Sequence, residues 1–134
     1  MLNSDKLGLE IYQNLGKIFY AVAMADGAVH IKELHKLKEI VREEWIHVDR
    51  IEDSFHSDAA YQIETVFDWL LENENNSEAS FKQFREFYKE YPELFTKPIK
   101  SLIMQTANAI AFSYAGKNKS ELIVMAKLAL LFKD

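Results

Sequence analysis

Apolar residues recur at steps of three and four along nearly the whole chain, and no stretch of four or more alternates like a strand between turn signals. The expectation is an all-α fold, a compact bundle of about six to seven helices. A first helix is read from about Ser4 to Asp26, with Leu7, Ile11, Leu15, Ile18 and Val22 on one face. A second, roughly His30 to Trp45, turns Leu34, Leu37, Val41 and Trp45 inward. Between them, Gly27 can take a left-handed backbone conformation at little steric cost, so the first helix stops and the chain turns back at once. A third helix is expected over Asp58 to Glu74, capped by Ser57 or Asp58, and a fourth over Glu78 to Tyr91, stopped by Pro92. The polar run from Glu72 to Ser77 separates the two as a loop. The fourth helix gathers Phe81, Phe84, Phe87, Tyr88 and Tyr91, a band whose spacing is what core packing alone requires. A fifth starts near Thr96, with Pro98 in its first turn, and runs to about Ala115. A sixth follows from Asn118, where Asn118 and Glu121 form a capping-box pattern. This last helix is apolar nearly all round, so it is expected to be the central, most enclosed element.

With 134 residues and 49% apolar content, the chain suits a single domain, residues 1–134, able to bury a continuous core. The absence of cysteine excludes a disulfide framework, a thiolate metal site and a cysteine nucleophile, so any metal must be held by oxygen or imidazole. No basic segment leads into an apolar signal core at the start, and the longest nearly apolar run, Leu122 to Phe132, is well short of the ~20 residues that cross a bilayer. A soluble, cytoplasmic protein without direct membrane insertion is expected. Net charge is −5 and the sixteen basic residues are scattered, which argues against nucleic acid as a partner.

One internal repeat stands out. Ala21 to Leu34 aligns without gaps on Ala109 to Leu122 at an offset of 88, and Ala21, Ala23, Glu33 and Leu34 are identical to Ala109, Ala111, Glu121 and Leu122. Each copy has an alanine-rich helix end, a glycine-bearing corner and a glutamate opening the next helix. The expected consequence is two similar helical halves packed face to face.

The segment Asp26 to Glu33 has the second half of an EF-hand loop, a glycine after an aspartate and a glutamate seven residues beyond it. The first half is missing, because Val22 and Met24 stand where oxygen ligands should be. What survives is a pair of carboxylates at a helix corner. Glu33, like Glu121, has an adequate role as a helix N-terminal cap. Asp26 opposes the dipole at a helix C-terminus and needs compensation from a cation, from a lysine such as Lys32, or from Asx-turn hydrogen bonding. Asp49, Glu52, Asp53 and Asp58 form a second acidic cluster, and if their loop folds onto the corner several carboxylates converge on one cation-sized site. His30, His35, His47 and His56 lack a zinc-protease spacing and are expected on the surface. Nucleophile elbow, P-loop and dinucleotide fingerprint are all absent.

The run Phe19 to Leu34, with its alanines, Asp26-Gly27 and trailing Glu33, resembles the signature of the tellurite-resistance TerB-like family. Thr106 to Ala111 followed by Lys119 to Leu122 resembles that family's second helical pair. The resemblance implies a helical bundle in two pseudo-symmetric halves, with acidic residues that bind a divalent cation, in bacterial stress-response or membrane-associated protein complexes. It assigns Asp26 and Glu33 to the site, with Glu121 as the second-half counterpart; Tyr114 stands where a second aspartate would fall. Direct chemistry on tellurite is not expected, since an acidic site repels an oxyanion and its reduction calls on thiols. The leading expectation is a non-enzymatic binding or scaffold module with a Ca²⁺ or Mg²⁺ site, rather than Zn²⁺, drawn from Asp26, Glu33, Asp53, Asp58 and Glu121. Two other readings stay open, a metal-dependent hydrolase using the same carboxylates with His30 or His56 as base, and a purely structural interaction domain.

Overall fold

The computed structural model describes residues 4–48, 56–113 and 119–133, and over these the chain is all-α with no strand. Six helices follow one another: α1 Ser4–Ala23, α2 Ile31–Glu43, α3 Gln62–Glu72, α4 Ser77–Glu90, α5 Lys97–Phe112 and α6 Lys119–Lys133. Short 3₁₀ turns at Trp45–His47, His56–Tyr61 and Pro92–Leu94 join them. The third helix begins later than expected, because the segment from His56 is wound as 3₁₀ and Tyr61 precedes α3 without a side-chain cap. Among the described residues no helix is long and apolar enough to cross a membrane.

Local chemistry sets most of the boundaries. After α1 the chain turns through Met24 to Asp26, the Gly27 N–H donates to the Met24 carbonyl at 2.9 Å, and Gly27 sits at φ +94°. That left-handed angle is available to glycine without the Cβ clash other residues incur. The Asn76 side chain caps α4 by accepting from the Ala79 N–H at 2.7 Å, and Thr96 caps α5 by accepting from Ile99. The loop between α3 and α4 is also tied to α1: Tyr20 Oη donates to the Asn75 carbonyl at 2.5 Å, and Ser77 Oγ to the Ala21 carbonyl at 2.6 Å.

The central element is α1, not the last helix. From Ile18 to Ala23 six consecutive residues have no exposed surface, which requires neighbours on every side of the helix. α3, α4 and α5 supply them, with further contacts from α2 and α6. Gly16 marks where α3 crosses closest, since a Cβ there would stand 2.8 Å from the Ile63 carbonyl oxygen. At the other end of α2, Trp45 is fully buried, tilts against Phe19 and donates from Nε1 to Thr106 Oγ1 at 3.0 Å.

The aromatic band on α4 is core. Phe84 and Tyr88 meet Phe95 and Phe132 edge-on or tilted, with ring centroids 5.0–6.2 Å apart. Lys100 Nζ lies over the Tyr88 and Phe132 rings at 5.4 and 5.7 Å. This cluster anchors the C-terminal end of α6. The rest of α6 is far from enclosed: Glu121 and Leu128 are its buried residues, while Leu122, Ile123 and Leu130 are half exposed or more. All-round apolarity was expected to mean burial on all sides. Here the helix lies at the edge of the bundle, and its apolar outer face has no described neighbour to cover it.

Candidate carboxylate site

The corner after α1 presents its polar groups in a short run. Asp26 Oδ1 accepts from the Ala28 N–H at 3.2 Å, an Asx-type turn, and Asp26 Oδ2 stands 3.9 Å from His30 Nε2. Asp26 therefore has a partner in the turn itself and an imidazole beside it. His30 opens α2 in extended backbone geometry, and its N–H donates to Glu33 Oε1 at 2.9 Å, completing the N-terminal cap expected of Glu33.

Capping alone leaves the burial of Glu33 unexplained. A glutamate in the first turn of a surface helix can cap from solvent, yet Glu33 is 1% exposed and Glu121, in the first turn of α6, is 2% exposed. The two carboxyls come close enough for Glu121 to act on Glu33 both as a hydrogen-bond partner and through its charge. Two carboxylates cannot share a hydrogen bond while both are ionised, so one must carry a proton. Burial is the main cause that raises the Glu33 carboxyl, to about 8, followed by the hydrogen bond to Glu121 and the charges of Glu121 and Asp26; the His30 N–H acts in the opposite direction. A carboxyl raised this far keeps its proton at neutral pH, and Glu33 does so where the first turns of α2 and α6 meet.

The sequence repeat and this contact coincide. Glu33 and Glu121 are equivalent at the offset of 88, and the helices preceding them, α1 and α5, pack on one another. That signal was present in the alignment.

The remaining expected ligands are distributed as follows. Asp26 is at the exposed rim of the corner, close enough for its charge to act on Glu33. Asp49, Glu52 and Asp53 lie outside the described residues, as do Tyr114 and Asn118, and Asp58 is described only as a backbone position in the 3₁₀ turn before α3. Among the described residues no group of three or more His, Asp or Glu side chains is placed to hold a metal ion. The pair with Asp26 at its rim is an all-oxygen set, suited to hard cations. A third buried acid, Glu64, meets Arg42 Nη2 at 3.6 Å across α2 and α3; burial raises its carboxyl and the arginine lowers it.

The fold and the site together define an α-helical bundle with a buried carboxyl pair between the first turns of α2 and α6. In comparisons with known proteins, no family model, no curated protein and no solved structure matches the chain.

Proposed function

We propose that this chain is a cytoplasmic helical binding and scaffold module of the tellurite-resistance TerB-like type, without catalysis, in which Glu33 and Glu121 hold a divalent cation in exchange for their shared proton. The observation that carries the reading is the meeting of two buried glutamates from the two copies of the repeat. Two like charges in one buried place require either a proton or a cation, and a doubly charged cation lets both carboxylates ionise. The donor set favours Mg²⁺, which is commonly held by one or two carboxylates and keeps several waters. Ca²⁺ takes six to eight oxygens and would draw on more ligands than this pair offers. Asp26 adds a third negative charge at the rim. Such a latch would tie α2 to α6 and make the shape of the module depend on the ion, which suits a scaffold for protein partners.

The test is calorimetry and thermal unfolding with MgCl₂ or CaCl₂ at pH 8.5 and pH 5.5. At tenfold the dissociation constant a cation that binds only the folded chain adds ~1.4 kcal/mol, about 5 °C in Tm for a domain of this size. The rise is expected at pH 8.5, should shrink at pH 5.5 as protons compete, and should vanish in Glu33→Gln and Glu121→Gln. No heat and no rise in Tm at pH 8.5 would remove the cation from the proposal.

A further inference from the structure

The half-exposed face of α6 forms one wall of a trough whose other wall is α4. Its apolar lining comes from Phe81 on α4 and Val124, Leu130 and Leu131 on α6, and its volume is about 740 Å³. Leu130 is 66% exposed there. Along the same α6 stripe, with Ser120, Ile123, Val124 and Lys127, the trough continues to the Gly27 corner. Ile123 is 49% exposed. From Ser120 to Leu131 the α6 wall is about 16 Å long at a rise of ~1.5 Å per residue, room for about three turns of a docked helix.

The charges on this trough run against those of the chain. Lys82, Arg85 and Lys89 recur at steps of three and four along the α4 wall, and Lys127 faces the trough from α6. None of the four is ion-paired with another described residue, whereas Lys36, Lys38 and Arg42 each have a carboxylate partner. Glu78 is the acidic residue among the lining side chains. A chain of net charge −5 thus gathers, around an exposed apolar floor, four cations that are unpaired among the described residues. Exposed apolar surface rimmed by charge marks an interaction site, and cationic edges select an anionic occupant while repelling the same cationic edges of a second copy packed trough to trough.

We infer that the α4–α6 trough docks an amphipathic helix of a partner protein, with its apolar stripe on Leu130 and Ile123 and acidic residues on its flanks toward Lys82, Arg85, Lys89 and Lys127. The shape favours a helix over an anionic bilayer, because a flat surface would meet the rim cations without filling the floor between them. This inference rests on the reading of the chain as a binding module but not on its cation.

The test is selection of a displayed library of randomised 15-residue helices on the whole chain, followed by titration of the selected peptide by fluorescence anisotropy. The selected sequences should carry an apolar i, i+3, i+4, i+7 stripe flanked by Asp and Glu. The triple variant K82E/R85E/K127E, checked for native helicity and Tm, should weaken the selected peptide tenfold or more, and Leu130→Asp should do the same. Binders unaffected by both variants, or none selected, would overturn the inference. So would tighter binding to phosphatidylserine vesicles than to any selected peptide, or a concentration-dependent dimer abolished by Leu130→Asp. Glu33→Gln, which removes the proposed cation response, should leave peptide binding in EDTA unchanged, so the two proposals fail separately.

Discussion

Replacing Glu33 by glutamine tests the buried pair directly, because glutamine copies the protonated acid. Its Oε1 can still accept from the His30 N–H, which lies 2.9 Å from that atom in the native chain, and its amide N–H can donate to Glu121 where the shared proton now lies. The native carboxyl is raised from 4.5 to about 8 on folding. A group raised in the folded state contributes stability that is fully present below its unfolded value and is lost as the pH climbs through the folded one, so the window runs from about 4.5 to about 8. At about 1.4 kcal/mol per unit the ceiling on that loss is about 5 kcal/mol. Solvent and screening at the exposed rim bring the expected loss to about 2–3 kcal/mol. Urea unfolding followed by far-ultraviolet circular dichroism, in EDTA at pH 5, 6, 7, 8 and 8.5, measures it. The native chain should lose stability relative to Glu33→Gln across this range, with the variant the more stable at pH 8.5. The difference between the curves cancels the histidines and other groups common to both. Parallel curves would refute the shared proton, and a native chain that gained on the variant as the pH rose would refute the sign.

Two further outcomes follow from packing. Gly16→Ala should gain roughly 1 kcal/mol of helix propensity yet lower stability by a net ~1–2 kcal/mol, because the new methyl group would meet the Ile63 carbonyl oxygen at 2.8 Å and Val66 Cβ at 3.0 Å and force α1 and α3 apart. Thermal unfolding reads the result, and an unchanged or higher Tm would mean that the crossing yields easily. Thr106→Val should cost about 1–3 kcal/mol by leaving the buried Trp45 N–H without its partner, with Thr106→Ser retaining most of the stability. A loss from Thr106→Ser with none from Thr106→Val in urea unfolding would show that the methyl group, not the hydroxyl, is what matters.

The features legible in the sequence are those made within a few residues of one another. Asn76 and Thr96 cap their helices through bonds to backbone groups three residues on, and Gly27 turns the corner with a backbone angle glycine adopts freely. The four buried aromatic residues of α4 follow a period that needs no knowledge of partners beyond the existence of a core. The turn chemistry of Asp26 was also local, although its choice among a cation, a lysine and an Asx turn had to await the Ala28 and His30 contacts.

The sequence by itself determined six helices, the caps of α4 and α5 and the glycine corner, because periodicity and capping act over one turn of chain. Tertiary structure alone decided which helix is enclosed and which residue is chemically unusual. An all-round apolar helix can lie at the centre or at an edge, and only the arrival of α3, α4 and α5 around Ile18 to Ala23 gave the centre to α1 and left one side of α6 open. At the Asp-Gly corner the aspartate found ordinary partners nearby. Its glutamate, adequately explained as a cap, met a second glutamate 88 residues away in a place too dry for both to be charged.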